Sequence, residues 1–460
     1  MKPNPLFPSE KTLGINTDLY ELAMLGAYFS AGRTSDQATF ELFTRRLPSQ
    51  RNFLVAAGLE QALHYVLGLS FDKEITDYLR SLEAFRHLGR AFFEYLCDFR
   101  FTGDVYALPE GTPVFPNEPI LQVTAPIMEA QLLETYLINS INFQTMVATK
   151  AARLCLAAGG REVVDFGSRR AHGPQAGVLA ARASFIGGCA GTSNALAGFE
   201  LDLPVQGTMA HSFVQFFGDE FAAFQCFHDI FPQNSVLLVD TYDTLSGVRK
   251  ALQVVGDIKG VRLDSGDLGS LAVETRRLLD QAGKTDVRIV ASGDLDEERL
   301  QALTLSGAPI DAYGVGTELV VSRDAPGCDL VYKLVSAVHD GETHPSIKLA
   351  RNKDTMPYRK QIFRKDSAAG FCGDVVARWD EVPAGAGSVS LPLLKRYVRQ
   401  GALTSELPDV FKIRDYTQKQ LRALPDSIKV LDACPPYPVE YSAKLLSARQ
   451  ELETQYGNPA

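Results

Sequence analysis

Five short segments of this chain share one plan, and that repeat is what most limits the possible fold. Each segment is an apolar run that ends in Asp, Ser, Gly or Thr. The segments are 161–170, 235–243, 260–267, 287–294 and 311–318. Stretches with helical character lie between the last four, so the unit recurs about every 25 residues. Apolar strands that alternate with helices are typical of parallel βα units. The pattern therefore predicts the α/β class, with an irregular (β/α) barrel whose strand-end residues share one mouth.

A histidine lies in a loop between two of these units. Residues 207–213 read GTMAHSF and follow a short strand-like run. Glycine allows a sharp turn at a strand end, and small residues leave room for a bound molecule. On this stretch alone, His211 is more simply interpreted as a hydrogen-bonded loop residue. Because the loop falls between βα units, we expect the imidazole to face the mouth, where it can act as nucleophile, base or metal ligand.

The other residues at the predicted strand ends have groups that can bind phosphate and sugar. They are Asp165, Phe166, Arg169, Arg170, Asp240, Asp243, Arg262, Asp264, Asp267, Ser292, Asp294, Gly314, Gly316 and Thr317. Arginines donate in a fork to carboxylate or phosphate, and a Gly-x-Gly-Thr turn presents backbone N–H groups to phosphate. Carboxylates can grip ribose hydroxyls or hold hydrated Mg²⁺, although each can equally cap a helix. Together they predict a sugar phosphate with a polyphosphate leaving group.

The sequence on either side of the βα units has a different pattern of predicted elements. A helix is predicted from residue 16, an alternating half-buried strand at 37–47, helices over most of 53–98, and a small sheet in the Pro- and Gly-rich stretch 101–125. We therefore predict an N-terminal α+β domain at 1–125, a barrel catalytic domain at 126–340, and a C-terminal segment at 341–460 that packs on the N-terminal domain. The α+β domain is then formed by the N-terminal segment and part of the C-terminal segment.

Composition restricts partners and compartment. The net charge is −9, which argues against a nucleic-acid-coating protein, so a phosphate site must be a local basic pocket. The seven cysteines never form a Cys-x-x-Cys pair, which argues against a disulfide framework and a zinc ribbon and favours a reducing compartment. No signal peptide and no apolar run long enough to cross a bilayer is evident. A cytoplasmic protein without membrane or nucleic-acid partners is predicted.

Seven segments of the chain, in order and spacing, resemble the nicotinate phosphoribosyltransferase family, which has the type II phosphoribosyltransferase fold. They are TDLYELAMLGAYF (17–29), FGSRRAHG (166–173), GTSNALAG (191–198), GTMAHSF (207–213), VDTYDTLSGV (239–248), RLDSGDL (262–268) and GVGTEL (314–319). The resemblance extends from about residue 12 to residue 365. As a set these motifs are highly specific.

The resemblance implies a ligase-class reaction that begins NAD salvage from nicotinate. Nicotinate, 5-phosphoribosyl 1-pyrophosphate, ATP and water give nicotinate mononucleotide, pyrophosphate, ADP and phosphate. His211 is similar to the family's phosphorylated histidine, and Asp264 to the residue that contacts ribose or Mg²⁺. ATP as co-substrate, Mg²⁺, and a homodimer with shared active sites are implied as well. No individual metal ligand is assigned.

The resemblance also implies binding roles for other residues. Phe166 would stack on the pyridine ring together with Tyr20, which comes across the dimer interface. Arg169, Thr208 and Arg262 would hold the nicotinate carboxylate and nearby phosphates. The residues that match the 5′-phosphate and ribose pocket are Gly293, Asp294, Gly316 and Thr317. Ser193 stands where nicotinamide-using enzymes carry an aspartate that would repel nicotinate, so nicotinate is favoured.

Alternative readings remain at this point. Nicotinamide and quinolinate phosphoribosyltransferases share the fold class but not the loop at 207–213. A barrel with lyase or aldolase chemistry would need a Schiff-base lysine at a strand end, and Lys333 is the available candidate. A catalytically silent phosphate-binding barrel is the third class. The chain departs from many relatives in carrying Asp165 instead of Glu and in lacking the four-cysteine zinc knuckle found in some of them.

Overall fold

The computed structural model describes residues 9–350, 353–383 and 391–457. Its strands are β1 Gln37–Thr44, β2 Leu54–Val55, β3 Asp104–Ala107, β4 Pro113–Val114, β5 Pro119–Pro126, β6 Glu162–Asp165, β7 Gly191–Thr192, β8 Val236–Leu238, β9 Gly260–Leu263, β10 Arg288–Ser292, β11 Ala312–Val315, β12 Leu330–His339, β13 Glu342–Pro345, β14 Lys360–Ser367, β15 Gly370–Arg378, β16 Leu391–Pro392, β17 Lys395–Arg399, β18 Ala402–Leu403 and β19 Val439–Tyr441.

The α-helices follow the same chain order. They are α1 Leu19–Ser30, α2 Leu59–Gly68, α3 Lys73–Ser81, α4 Arg90–Cys97, α5 Ile127–Leu132, α6 Glu134–Ala157, α7 Pro174–Gly187, α8 Ala195–Leu201, α9 His211–Phe217, α10 Glu220–Ile230, α11 Thr244–Ala251, α12 Leu268–Gln281, α13 Glu297–Leu305, α14 Thr317–Val320, α15 Val410–Ala423 and α16 Ala443–Tyr456. None of the helices in the described ranges is long and apolar enough to cross a membrane.

The chain forms two compact units. The first unit contains the described parts of 1–145, 327–409 and 419–460, and the second contains 146–326 and 410–418. Helix α5 packs on β1 and β5, and β12 pairs with β1. For this reason the residues on both sides of the predicted boundaries near 126 and 340 belong to the first unit. The assignment of 1–125, 126–340 and 341–460 as domains stays a prediction.

The first unit is built on a seven-stranded sheet in the order β13-β12-β1-β5-β3-β17-β18. Strand β1 was predicted to be half-buried, but only Gln37 of its eight residues is exposed. The alternate polar positions are buried because they find partners. Glu41 forms an ion pair with the Lys360 ammonium, 2.6 Å away, and its other oxygen accepts a hydrogen bond from Gln122. A buried charge is tolerated only with such pairing.

The second unit is the predicted irregular (β/α) barrel, and this prediction is confirmed. Its six strands run in the order β7-β6-β11-β10-β9-β8, and each neighbouring pair is parallel. Helices α11, α12 and α13 connect successive strands from β8 to β11. Val205 adds a single parallel bridge to Thr192, beside β7, just before the loop that leads to His211. Parallel strands bring their carboxyl ends to one edge, so their following residues meet there.

Candidate active site

A cavity of about 460 Å³ opens at the carboxyl ends of the barrel strands. Its lining comes from the residues that follow five strands and from the loop before α9. The lining residues are Phe166, Arg169, Arg170, Ser193, Gly207, Thr208, Met209, Ala210, Arg262, Asp264, Ser292, Gly293, Asp294, Leu295, Gly314, Gly316, Thr317 and Glu318. The structure thus brings together most of the strand-end residues that the sequence singled out, although these are far apart in the chain.

Arg262 is the most connected side chain of this cavity. Its Nε donates to Ser292 Oγ at 2.8 Å, and one terminal nitrogen donates to Thr208 Oγ1 at 2.8 Å. The other terminal nitrogen donates to Asp264 Oδ1 at 2.9 Å. Only 13% of the side chain is exposed, so the guanidinium is held in one orientation. A fixed and partly desolvated guanidinium suits recognition of a carboxylate or phosphate.

Asp264 is kept ionised by its neighbours. Burial would raise the pKa of this carboxyl, but the hydrogen bond from Ser292 and the charge of Arg262 outweigh burial, and the pKa lies below its usual range. The backbone N–H of Asp264 donates to Asp240 Oδ2 at 2.9 Å, which fixes the start of the loop. The site therefore contains a permanent negative charge beside a permanent positive one.

His211 is the first residue of α9 and has a polar neighbour on each side of its ring. Its Nδ1 lies 3.2 Å from the Thr241 hydroxyl, and its Nε2 lies 3.6 Å from Asp264 Oδ2. The side chain is 40% exposed, so a substrate can approach it. Since Asp264 contacts both His211 and Arg262, the imidazole and the guanidinium belong to one site. Thr241 was not singled out from the sequence as a site residue, although it directly follows the strand-end residue Asp240.

An aromatic ring forms one wall of the cavity. The Arg262 guanidinium carbon lies 5.7 Å from the centre of the Phe166 ring, within cation–π range. A Cβ atom added to Gly314 would lie 2.4 Å from the same ring. Glycine at this position therefore makes room for the ring. Arg169 and Arg170 follow Phe166 in a short 3-10 helix, and both are exposed at the cavity.

Two glycine-containing turns form another part of the lining. Gly293 has φ of +93°, and a Cβ added to it would lie 1.9 Å from the Asp264 carbonyl oxygen. Asp294 follows with a φ of 48°, which is rare for a residue with a side chain. Gly316 and Thr317 form the second turn, at the end of β11. Turns of this kind can direct successive backbone N–H groups at an anion.

The tight fit of Gly293 leads to a stability prediction. We expect Gly293→Ala to lower the free energy of unfolding by more than about 2 kcal/mol, because it adds a backbone clash to left-handed strain. Gly307 is the matched control, since it has a φ of +70° and no atom within 4 Å of an added Cβ. Gly307→Ala should cost about 1 kcal/mol, from strain alone. Urea denaturation of both variants measures the difference, and equal losses would contradict the predicted clash.

Several of the polar strand-end residues have structural roles instead of lining the cavity. Asp243 accepts a hydrogen bond from the Ser246 N–H at 2.8 Å and caps α11, and Asp267 caps α12 through Ser270. Asp165 is fully buried and accepts hydrogen bonds from Gly167 and Thr192. Burial raises the pKa of Asp165, and the hydrogen bonds from Thr192 and Gly167 oppose the rise.

Two candidates from the sequence belong to the first unit. Tyr20 lies in the first turn of α1 and has 49% of its surface exposed. Lys333, the candidate for Schiff-base chemistry, lies on β12 and pairs with Glu134 at 3.1 Å. Lys333 is not among the residues that line the barrel cavity, so its position does not favour Schiff-base chemistry there.

Comparison with family models covers nearly the whole chain in three parts. Residues 15–142 match the nicotinate phosphoribosyltransferase (NAPRTase) N-terminal domain, and residues 359–449 match the C-terminal domain of the same family. Residues 147–329, which include most of the barrel, match the C-terminal domain of quinolinate phosphoribosyl transferase. The C-terminal segment, which the motifs could not place, is therefore similar to a known domain.

Whole-length relatives agree with these matches. The chain is 45% identical over 444 residues to nicotinate phosphoribosyltransferase pncB2 of Mycobacterium tuberculosis, covering 95% of this chain and 93% of that protein. It is 38% identical to nicotinate phosphoribosyltransferase of Bacillus subtilis, covering 96% and 95%. Among solved structures, human nicotinic acid phosphoribosyltransferase superposes with a TM-score of 0.82 at 30% identity, covering 95% of this chain and 99% of the human chain.

A second solved structure shares the fold. Nicotinate-nucleotide pyrophosphorylase from Pyrococcus furiosus superposes with a TM-score of 0.75 at 25% identity, covering 92% of this chain and 99% of that one. The similarity thus extends over both compact units and is not limited to the barrel.

Proposed function

This chain belongs to the nicotinate phosphoribosyltransferase family, and from that premise we propose that the barrel cavity joins nicotinate to 5-phosphoribosyl 1-pyrophosphate. The observation that carries the proposal is the convergence of Phe166, Arg262 and Asp264 with two glycine turns in one cavity. An aromatic wall, a fixed guanidinium, a carboxylate and an anion-binding turn are the groups that a pyridine acid and a sugar phosphate require.

Nicotinate is assigned to the end of the cavity that contains Phe166. The ring of Phe166 stacks on the pyridine, while Arg262 and Arg169 bind its carboxylate. Thr208, which accepts a hydrogen bond from Arg262 at 2.8 Å, fixes the guanidinium that does so. Tyr20 of a second copy closes over the other face of the pyridine. Its half-exposed position on α1 supports this role. The active enzyme is then a homodimer, and a monomeric mass in sedimentation equilibrium would contradict it.

The sugar phosphate is assigned to the glycine turns. Backbone N–H groups around Gly293 and Gly316 hold the 5′-phosphate, and Asp294 and Thr317 contact it or the ribose. The pyridine nitrogen then attacks C1 of the ribose, and the bond from C1 to pyrophosphate breaks with both electrons leaving on oxygen. Positive charge develops on the sugar in this step. Asp264, which is ionised in the site, stabilises that charge.

His211 is assigned as the residue that takes up a phosphoryl group from ATP. A ring nitrogen attacks the γ-phosphorus, the bond to the β-phosphate oxygen breaks, and ADP leaves. Water later cleaves the phosphorus–nitrogen bond and releases phosphate. The contact with Thr241 at 3.2 Å orients the ring, and the 40% exposure of the side chain leaves it accessible. ATP hydrolysis then drives a base transfer that is readily reversible by itself.

Mg²⁺ is assigned to the pyrophosphate end of the substrate. Within the described ranges, no group of three His, Cys, Asp or Glu side chains could hold a metal ion. This fits Mg²⁺, which is commonly held by one or two carboxylates together with substrate phosphates. Asp264 and the buried Asp240, whose Oδ1 has no hydrogen-bond partner, are the residues available. Bound Mg²⁺ would neutralise the departing pyrophosphate.

The free state of all seven cysteines supports the proposed cytoplasmic location.

One incubation series tests the function. The protein is given 5-phosphoribosyl 1-pyrophosphate and Mg²⁺ with nicotinate, nicotinamide or quinolinate, each with and without ATP, and products are identified by mass. We expect nicotinate mononucleotide from nicotinate, with ATP raising the yield. Preferential formation of nicotinamide mononucleotide, or release of carbon dioxide from quinolinate, would identify one of the alternative transferases. If none of the three bases gives a product, the catalytically silent phosphate-binding barrel is the remaining alternative.

Ser193 provides a test of substrate choice. It lines the cavity, and its backbone N–H is tied to the Asp165 carbonyl at 2.8 Å, so its position is fixed. We expect Ser193→Asp to lower kcat/KM for nicotinate about 10-fold or more, because like charges a few ångströms apart repel by about 1–4 kcal/mol. Ser193→Asn is the uncharged control of the same size and should retain most of the activity. Equal losses in both variants would assign the effect to volume instead of charge.

A further inference from the structure

Lys150 is a cation buried in the second unit that the proposed reaction does not use. It lies on α6, and its side chain is 1% exposed. The ammonium donates to the Glu297 carboxylate and, at 2.8 Å, to Asp324 Oδ1. Glu318 Oε2 lies 3.8 Å from the same nitrogen. One ammonium thus reaches three carboxylates that come from two separate parts of the chain.

These carboxylates flank the two glycine turns of the cavity. Glu297 is the first residue of α13, directly after the turn that contains Gly293 and Asp294. Glu318 is the second residue of α14, next to Thr317, and it also lines the cavity. Asp324 follows the same short helix. Lys150 therefore connects the segment after β10 to the segment after β11, and both segments contribute to the proposed phosphate pocket.

We propose that Lys150 is a positioning residue, which sets the separation of the two turns that bind the 5′-phosphate. This inference rests on the proposed function. Both turns contain backbone geometry that has little local preference: Gly293 and Asp294 have φ of +93° and 48°, and Gly316 has φ −106° with ψ −103°. Segments in such conformations depend on surrounding contacts to keep their place. The buried ion pairs supply those contacts.

The carboxylates around Lys150 also pair with arginines. Arg153, 5% exposed, pairs with Glu297 Oε1 at 3.1 Å, and Arg323 pairs with Glu318 Oε1 at 3.0 Å. With Lys150 and Asp324, the named cations and carboxylates are equal in number. Buried ion pairs gain little stability over apolar packing, yet removing one partner leaves an uncompensated charge. The arrangement is therefore better explained by fixing position than by adding stability.

The test is the KM of the Lys150→Met variant, measured separately for 5-phosphoribosyl 1-pyrophosphate and for nicotinate. We expect KM for 5-phosphoribosyl 1-pyrophosphate to rise about 10-fold or more, since a shift near 1 Å in a binding loop has effects of that size. KM for nicotinate should stay within about 2-fold, because the Phe166, Arg169 and Arg262 side chains assigned to nicotinate are not part of these turns. Binding of ribose 5-phosphate, measured by calorimetry, should weaken in parallel.

Lys250→Met is the control for the loss of an ion pair away from the cavity. Lys250 pairs with the buried Glu220 at 2.7 Å in the same unit, but neither residue lines the cavity. This variant should lower the melting temperature without changing KM for either substrate. A general loss of stability is thereby separated from a change in the phosphate pocket.

Asp324→Asn tests the positioning role of Lys150 if the Lys150→Met variant does not fold. It weakens the contact of Lys150 with the segment after β11, and we expect KM for 5-phosphoribosyl 1-pyrophosphate to rise about 3-fold. An unchanged KM in the variants that fold, or an equal change for both substrates, would overturn the inference. Failure of the proposed function is distinguishable, because the unmodified protein would then form no nicotinate mononucleotide.

Discussion

His211→Ala is expected to abolish stimulation by ATP while leaving a low, ATP-independent rate of nicotinate mononucleotide formation. The imidazole is 40% exposed and lies beside the cavity, with Nε2 3.6 Å from Oδ2 of the lining residue Asp264. Coupling between two binding sites commonly changes an affinity by about 5-fold to 150-fold. We therefore expect stimulation by ATP of that size in the unmodified protein and none in the variant. Initial rates with and without ATP measure it. Incorporation of a labelled γ-phosphoryl group, stable in alkali and labile in acid, measures the modification directly.

His339 supplies the control for His211. Its side chain is 45% exposed, close to the 40% of His211, and its Nδ1 likewise has a single neighbour, Asp36. His339→Ala should retain both ATP stimulation and the label. If His211→Ala still responds to ATP, or still incorporates the label, the phosphohistidine assignment is wrong and the transferase assignment is unaffected.

Asp264→Asn is expected to reduce kcat by about 10²-fold to 10³-fold, because it removes a preorganised charge from the reacting sugar. The substitution keeps the shape and can retain the contact with Ser292, so the loss reports the charge. The pKa of Asp264 lies below its usual range, so its carboxylate is ionised throughout the neutral pH range. The loss should therefore be the same across that range. A loss confined to one part of the pH profile would contradict the assignment.

Asp267→Asn is the control, because Asp267 lies three residues after Asp264 in the same motif, RLDSGDL (262–268). Asp267 caps α12 by accepting hydrogen bonds from the Ser270 N–H and hydroxyl, and asparagine caps helices about equally well. We expect activity within about 2-fold of the unmodified protein and a stability change below about 0.5 kcal/mol. An equal loss of kcat in both variants would show that the charge of Asp264 has no special place in the reaction.

The sign of the charge linkage at Asp264 also predicts its contribution to stability. A folded-state pKa below the unfolded value means that the ionised form is favoured by folding. This contribution is present above the unfolded pKa and is lost as the pH falls through the lower, folded value. Protonation of Asp264 therefore weakens its contact with Arg262 only at a pH below the usual pKa of an aspartate.

The sequence determined the barrel because periodicity is local information. Apolar runs of four or five residues with a polar end specify buried parallel strands wherever they occur, and the βα spacing leaves few other topologies. The motifs also predicted Phe166, Arg262, Asp264 and His211 as site residues. Strand ends of one parallel sheet must meet at one edge, so their convergence followed from the fold class alone.

Only the tertiary structure determined which contacts each strand-end residue makes. Asp264 and Asp267 stand three residues apart in one motif, yet one contacts Arg262 and the other caps a helix. Thr241 was part of a motif but was not singled out, and Lys150 gave no signal in the sequence, because their contacts are with residues that are remote in the chain. The ammonium of Lys150 meets Glu297 and Asp324 only after the strands have paired. Side-chain contacts between distant residues arise from packing, which periodicity and motifs do not encode.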